Sequence, residues 1–424
     1  MSLRRPTFIG LLTGAICVQG CSSDTAADPQ MADASVDSSA VDSWVPDSPA
    51  DDAGGLRNLG DFVRQPDDRP VISSGVAGLP MLVADPAVYS DAEGYHLFYT
   101  TLFCKKGDSF YFSFDPAHPS DCDLSQSAGM TAYAFSNDKG LTWEFRTSPV
   151  IAPPSSLSWD ATTETPFVTR TGDQLLLFYC AHGYRQGKPF AFRYQVGVAT
   201  LDLQGASLHT RLMDPSQQFA RRAEPLLPYD VLTTSFTNNT QEPSVVASES
   251  GLDVYFVGLR VSLPDQPIDN PDQKILGFGL GRAKLDSSLH LTSPPEGAIL
   301  EGANITEVRT WSGATRVFST LMGSGGEFHK DEKIGYYSSV NQVQWDGPRL
   351  LLQARESSPY ENWGLMAPTV ALEDTEVVLF YTAWGTQAAA CDYSSPTGRV
   401  GVPVENSTRC VYGTLGRATA PRLP

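Results

Sequence analysis

Short apolar strands recur along the chain from about residue 80 onward, separated by a few polar or turn-forming residues. In each recurrence a strand is followed by a tight polar turn and a second strand rich in Leu, Val, Phe and Tyr. Five copies of this hairpin occupy residues 85–100, 164–179, 242–257, 306–319 and 367–382. Because no long helical periodicity accompanies them, the pattern predicts an all-β domain.

The hairpins recur about every 60 to 80 residues, a length that suits a four-stranded antiparallel sheet with its loops. A third strand follows the hairpins, as at residues 131–135 and 194–199. Sheets repeated radially protect their edges when first and last are adjacent. Five copies therefore predict a five-bladed β-propeller over residues 58–424. The alternative is a six-bladed propeller in which residues 58–82 belong to a further blade.

A proline stands close to the start of the first strand in four copies. Proline has no N–H to donate to a ladder, so it belongs at a strand's beginning. In a propeller the innermost strands begin near the central channel, and the side chains before these prolines should converge on one mouth. This predicts a shared pocket of Asp85, Glu164, Glu242 and, from the degenerate fourth copy, Glu307.

The N-terminus has the pattern of an export signal: Arg4 and Arg5 precede an apolar run at residues 8–18. The run is too short for a permanent membrane span, and residues 18–21 resemble the lipobox of bacterial lipoproteins. We expect a signal peptide at residues 1–20, lipidation of Cys21, and anchoring in the cell envelope at the outer membrane or cell surface. Ordinary signal cleavage is the alternative.

Residues 21–57 consist mainly of Ser, Asp, Ala and Pro and cannot bury enough apolar surface to offset the entropy of ordering. We expect a disordered tether, extended by repulsion between its carboxylates. The whole chain has a net charge of −18, which argues against nucleic acid or anionic lipid as a partner.

Five cysteines follow Cys21, and none forms a CxxC pair, which argues against structural zinc. Export permits disulfides. Cys104/Cys122 and Cys391/Cys410 close loops of similar length after equivalent strands, so these two bridges are predicted and Cys180 remains free. A pairing across the first and last repeats is the alternative.

Glycosidic bond hydrolysis needs one carboxylic acid to protonate the leaving oxygen and one carboxylate to activate water or attack the sugar carbon. Neighbouring carboxylates in a narrow cleft push their pKa values apart. Asp85, Glu164 and Glu242 are the candidate catalytic residues on this argument.

The Asp-Pro of the first unit, the acidic motifs of the next two and the strands ending in Phe-Tyr resemble the five-bladed glycoside hydrolases of family 43. The resemblance covers most of residues 80–415 and implies Asp85 as general base and Glu242 as general acid. The second blade departs from the family pattern, because Glu164-Thr165-Pro166 stands where Asp-Pro is expected. Asp160 is a possible substitute there, and Glu164 as acid with Glu242 as modulator is an alternative. Family 32, which shares the fold, is the weaker match.

Candidate substrate-binding residues accompany the acids. Sugar rings present apolar faces that stack on aromatic side chains, and polar residues near the mouth can bind hydroxyls. The candidates are Trp159, Asp160, His182, Glu307, Arg309 and Trp363.

Residues 136–143 match the Asp-box, a surface hairpin of sialidases and other propellers. Its Ser136 and Asp138 should bond the turn backbone, with Trp143 packed beneath. Sialidase activity ranks below glycosidase activity, since no Arg-Ile-Pro opening motif is present.

The favoured hypothesis is a glycoside hydrolase acting on poly- or oligosaccharides as a monomer, without cofactor or metal. The alternative is a non-catalytic surface propeller that binds carbohydrate or another partner, motivated by the departure in blade two and by Ala367 in place of an acid in the fifth copy.

Overall fold

The computed structural model describes residues 59–74, 79–80, 82–106, 109–111, 123–151, 159–182, 194–229, 239–248, 251–263, 275–323, 329–387, 402–403 and 410–422. These residues form five antiparallel sheets, each the blade of one propeller. The five-bladed fold predicted from the repeats is confirmed.

The strands are as follows, in chain order. The first is β1 (Val63–Arg64). Blade 1 has β2 (Ala84–Ser90), β3 (Tyr95–Lys106), β4 (Ser109–Tyr111), β5 (Asp123–Ser136) and β6 (Glu144–Phe145). Blade 2 has β7 (Thr162–Thr171), β8 (Gln174–His182), β9 (Gln195–Asp202) and β10 (Ala220–Arg221), with helix α1 (Leu208–Met213) before β10. Blade 3 has β11 (Gln241–Ser248), β12 (Gly251–Val261), β13 (Ile275–Leu285) and β14 (Glu296–Glu301). Blade 4 has β15 (Asn304–Trp311), β16 (Ala314–Leu321), β17 (Lys333–Ser339) and β18 (Asp346–Gln353). Blade 5 has β19 (Gly364–Leu372), β20 (Glu376–Gln387), β21 (Val402–Pro403) and β22 (Cys410–Pro421).

The two ends of the chain close the ring together. β1 pairs antiparallel with β22 and becomes the outermost strand of blade 5, with Val63 opposite Thr419. Ile72 forms a further bridge to Leu415. The segment that the alternative assigned to a sixth blade instead completes the fifth, so the six-bladed alternative is wrong.

The second strand of each blade is buried on both faces, which explains its unbroken apolar sequence. Alternate residues of β3 pack to opposite sides: Leu97 and Tyr99 face the cluster shared with blade 5, and Phe98 faces the cluster shared with blade 2. In β8, Tyr179 packs toward blade 1 and Phe178 toward blade 3. The hydrophobic core is thus distributed between the blades.

Every inner strand carries a β-bulge near its start. In blade 1, Ala84 pairs with Thr100 and the next pair is Ala87 with Phe98, so two residues of β2 oppose one of β3. The residue that opens each bulge has left-handed backbone, with φ between 42° and 56°, although none is glycine. These residues are Asp85, Thr165, Glu242, Ile305 and Ala367.

The bulge amides are satisfied across the blade boundaries. A threonine hydroxyl on the second strand of the preceding blade accepts the N–H at three boundaries. The bonds are Asp85 N–H to Thr382 Oγ1 (3.0 Å), Thr165 N–H to Thr100 Oγ1 (2.9 Å) and Ala367 N–H to Thr320 Oγ1 (2.9 Å). We call these contacts the boundary latches. They connect the second strand of one blade to the inner strand of the next, which belong to separate sheets.

The Asp-box forms the predicted hairpin between β5 and β6. Ser136 Oγ bonds Asp138 Oδ1 at 2.7 Å, and Asp138 accepts the N–H groups of Leu141 and Thr142. Trp143 packs edge-on against Phe380 of blade 5. The motif has the structural role expected of it and also contacts the neighbouring blade.

Several sequence predictions lie outside the described residues. These are the signal peptide with Cys21, the tether at residues 21–57, and both disulfides: Cys122 and Cys391 are not described, nor are the side chains of Cys104 and Cys410. Cys180 is a buried thiol outside any disulfide. Across the described ranges, no helix has the length and apolar character needed to cross a membrane.

Replacing Thr320 with Val tests the boundary latch. The side chains are similar in shape, but valine cannot accept the buried N–H of Ala367. We expect the free energy of unfolding to fall by about 1–3 kcal/mol, the usual cost of an unsatisfied buried donor. Chemical denaturation measures the change. Thr320→Ser keeps the hydroxyl and is the control; equal losses in both variants would contradict the latch.

Candidate active site

The bulges aim their first side chains at one mouth of the propeller. Asp85 and Glu242 are both bulge residues, on inner strands of blades 1 and 3, and both are buried. The proline after each has no N–H to lose from the ladder. Local sequence thus favours the bulge, and the closed ring brings the two carboxyls together.

Threonine hydroxyl groups surround Asp85. Thr100 and Thr165 hydrogen-bond its carboxylate, while its own backbone is held by Thr382. Burial, and secondly the negative charge of Glu164, raise the pKa of Asp85 to about 6. At neutral pH the group is therefore ionised but remains within reach of protonation.

Glu242 is held differently. Its Oε2 accepts the backbone N–H of Ile305 at 2.7 Å, so the carboxyl itself bonds the bulge of blade 4. Burial raises the pKa of Glu242 well above its usual range, and the charges of Asp85 and Glu332 act in the same direction. Burial thus favours the protonated form of Glu242, with Oε1 as the oxygen outside the Ile305 bond.

Glu164 comes one residue before its bulge, so Thr165 is the blade-2 equivalent of Asp85 and Glu242. The Glu164 side chain still reaches the mouth, where Oε1 lies 3.6 Å from His182 Nε2. Gly129 makes room for it, since a Cβ there would lie 2.5 Å from Oε1. Glu164 therefore reaches the pocket from the position before the bulge, whereas the sequence repeat predicted a position equivalent to those of Asp85 and Glu242.

Glu307 lies deeper in the channel than the bulge residues. It pairs with Phe318, as Thr369 pairs with Phe380, whereas Ile305 occupies the bulge. Its Oε1 accepts the N–H of Val370 at 3.2 Å and the Nε of Arg309 at 2.5 Å. This position favours a structural bond between blades 4 and 5 over contact with substrate.

Arg309 spans the channel beneath the carboxyls. Besides Glu307, its guanidinium donates to the carbonyl oxygens of Val88 (3.3 Å) and Val370 (3.4 Å) and lies 5.4 Å from the ring centre of Phe167. It therefore contacts blades 1, 2 and 5 from blade 4, and it forms a floor to the site.

The remaining sequence candidates pack into the protein. Asp160 is buried and accepts from Arg221 at 2.8 Å and from Tyr179 at 3.2 Å. Trp159 stacks on Tyr179 and donates its Nε1 to Ala223. Trp363 is buried beside Trp384, with the Lys330 ammonium 5.3 Å from its ring centre. Asp160 and Trp159 thus support blade 2, and Trp363 borders the mouth.

His329 and Glu332 are site residues that sequence reasoning missed. His329 Nδ1 lies 2.8 Å from Glu332 Oε2, and the imidazole stacks on Trp384 with ring centres 5.0 Å apart. Electrostatic attraction to His329 lowers the pKa of Asp85, and the negative charge of Glu332 raises the pKa of Glu242. They lie between β16 and β17, in a segment with no repeated motif. The sequence signal that could have indicated them is a polar run directly after the second strand of a repeat.

Backbone bonds to β19 hold this segment in place. Asp331 donates its N–H to Trp363 O at 2.8 Å, and Leu365 donates to Glu332 O at 2.9 Å. Gly364 permits the approach, because a Cβ there would lie 1.9 Å from His329 O. Two backbone hydrogen bonds thus connect this segment to the start of the inner strand of blade 5.

In the described residues one cluster has metal-ligand spacing, Asp91, Glu93 and His96. It lies in the β2–β3 turn, about 20 Å along the strand from Asp85. There His96 forms hydrogen bonds with Asp91 at 3.1 Å and with Tyr133 at 2.8 Å. Hydrogen bonding within the hairpin therefore accounts for this cluster.

No protein-family model matches the sequence, and no curated protein is significantly similar to it. Solved structures are similar in fold. A glycoside hydrolase superposes with a TM-score of 0.53 at 13% identity, covering 83% of this chain and 92% of its own. A family 117 glycoside hydrolase from the marine bacterium Zobellia galactanivorans gives 0.52 at 13% identity, covering 86% and 91%. An N-acetylgalactosamine deacetylase from F. plautii, in complex with blood group B trisaccharide, gives 0.51 at 11% identity, covering 86% and 96%.

The chain thus has the five-bladed propeller fold found in these enzymes. At such identities the similarity establishes the architecture, and the chemistry has to be argued from the residues.

Asp85→Asn tests the electrostatic cost of the site. The folded-state pKa of Asp85, about 6, lies above its unfolded value of 3.8, so wild-type stability falls as pH rises through that window. The neutral amide avoids this loss. We expect the variant to gain up to about 3 kcal/mol over wild type between pH 4 and pH 8, at about 1.4 kcal/mol per pKa unit. Urea denaturation at pH 4, 6 and 8 measures it, and a difference independent of pH would contradict the assignment.

Proposed function

We propose that this chain is a glycoside hydrolase in which Glu242 protonates the leaving oxygen and Asp85 activates water or attacks the anomeric carbon. The observation that carries the proposal is the pair of buried carboxyls, on bulges of blades 1 and 3, held in unlike environments. Such a difference is what acid and base roles require.

The protonation states fit the two roles. Asp85, with a pKa of about 6 and two hydroxyl donors, is a carboxylate at neutral pH. Glu242, whose pKa burial raises well above its ordinary value, is favoured in its protonated form. The Ile305 bond occupies Oε2 of Glu242, which leaves Oε1 to present that proton to substrate.

The neighbouring side chains supply tuning and substrate contacts. Glu164 raises the pKa of Asp85, which matches a modulating role for the second blade. His182, beside Glu164, and His329, paired with Glu332, are the polar side chains next to the carboxyls to which we assign contacts with sugar hydroxyls. Trp384, which stacks on His329, and Trp363 are both buried, so they support this region of the site from within the protein.

A non-catalytic carbohydrate-binding propeller is the second candidate. The observation in its favour is burial, since Asp85, Glu164 and Glu242 are only 8%, 5% and 4% exposed. A catalytic pair must meet its substrate, and these carboxyls present little surface to it.

A substrate screen separates the two candidates. We expect purified protein to cleave at least one class of aryl-glycoside or oligosaccharide. Asp85→Asn and Glu242→Gln should each lower kcat by roughly 10²–10⁴-fold, the usual contribution of general acid–base catalysis. The screen includes acetylated amino sugars, because a deacetylase shares this fold.

The pH profile of kcat/KM is the accompanying control. The rate should rise with ionisation of a group of pKa about 6, for Asp85, and fall at higher pH as Glu242 loses its proton. Saccharide binding by calorimetry without turnover would favour the non-catalytic alternative, and activity unchanged in both variants would refute the catalytic assignment.

We further propose that the protein is exported and anchored through a lipid on Cys21, with residues 21–57 as its tether. The support is the charged, apolar and lipobox-like order of residues 4–21. In a bacterial host, wild type should incorporate labelled palmitate and fractionate with membranes, whereas Cys21→Ser should do neither. An unlabelled wild-type protein would count against the anchor and in favour of ordinary signal cleavage.

A further inference from the structure

The boundary latches follow a rule with one exception. The residue that faces each bulge amide lies on the second strand of the preceding blade, where it pairs with the position before that blade's own bulge. These residues are Thr100, Cys180, Val257, Thr320 and Thr382 in blades 1 to 5. Three are threonines that accept the N–H of the next blade, and the thiol of Cys180 faces the N–H of Glu242. Val257 alone has no polar atom.

At that boundary the Glu242 carboxyl takes the place of the missing hydroxyl. Ile305 N–H, which corresponds to the latched amides of the other blades, donates to Glu242 Oε2 at 2.7 Å. Val257 is completely buried, so water cannot serve as the acceptor from that side. Glu242 is therefore both a bulge residue and the latch of the next bulge.

In blade 1 the residue equivalent to Val257 is Thr100, and Asp85 is held differently from Glu242. Thr100 accepts the N–H of Thr165 and also hydrogen-bonds the Asp85 carboxylate. Asp85 thus bonds a hydroxyl and not the amide of the next blade. One second-strand position, threonine in blade 1 and valine in blade 3, distinguishes how the two carboxyls are held.

We propose that Val257 is a positioning residue, which fixes the Glu242 carboxyl on the Ile305 amide because it offers that amide no other acceptor. The inference rests on the proposed function for its catalytic meaning. A threonine at position 257 would accept the Ile305 N–H, as Thr100 does for Thr165, and the Glu242 carboxyl would lose its anchor.

A stability comparison tests the exchange of acceptors without any substrate. Glu242→Gln and Glu242→Met are both uncharged and similar in size, but only glutamine keeps an oxygen for Ile305. With Val257 present, the methionine variant should melt a few degrees below the glutamine variant. With Val257→Thr added to both, the gap should close.

Val257→Ala is the matched control, since it reshapes the site without adding a hydroxyl. The gap should persist in that background. A gap that persists with threonine, or that closes with alanine, overturns the inference.

Kinetics test the positioning role. We expect Val257→Thr to lower kcat by roughly 10-fold or more with KM unchanged, because the proton-donating carboxyl is no longer held in one place. An unchanged kcat overturns the role in catalysis. A wild-type chain inactive on every substrate would refute the glycosidase proposal, while the melting comparison still decides whether Val257 fixes Glu242.

Discussion

The backbone amide at the start of each inner strand needs an acceptor that its own blade cannot supply. The bulge removes that amide from the ladder, and burial keeps it from water, so the acceptor must come from the preceding blade. Threonine hydroxyls provide it at three boundaries. These bonds join each of the three blade pairs next to the bulge residues, whose side chains include Asp85.

The chemistry of the mouth follows from the same arrangement. Side chains at the bulges enter a region of low exposure, where a carboxyl is disfavoured as an anion. Beneath them, Arg309 with Glu307 connects four blades and forms the floor of the site. Glu164 enters from a neighbouring strand position and adds a second negative charge beside Asp85. The result is a cluster of carboxyls in which burial raises the pKa values of Asp85 and Glu242, in a fold that carbohydrate-active enzymes share.

The fold and the two main candidate residues could be predicted from the sequence because each is encoded locally. A proline after an acidic residue, followed by an apolar strand, marks the bulge at Asp85 and Glu242 wherever the chain lies in space. The fourth copy lacks that proline, and the alignment there was placed two residues late, on Glu307 instead of Ile305. In blade 2 the residue directly before the proline is Thr165, and the acidic residue stands one position earlier. The distance to the proline therefore marks the bulge there, and the acidic side chain does not. His329 and Glu332 carry no repeated motif, and the backbone of β19, far along the chain, positions them.

The repeat number, the antiparallel hairpins and the side chains at the bulges are encoded in the amino-acid sequence, because hydrophobic alternation and proline act over a few residues. Three features arise from the folded ring instead: β1 completes the fifth blade, Glu164 reaches the pocket past Gly129, and the Glu242 carboxyl accepts the Ile305 amide that Val257 cannot. These outcomes depend on contacts between blades, whose partners lie tens to hundreds of residues apart along the chain. No local pattern can specify which acceptor a buried amide finds once the ring has closed.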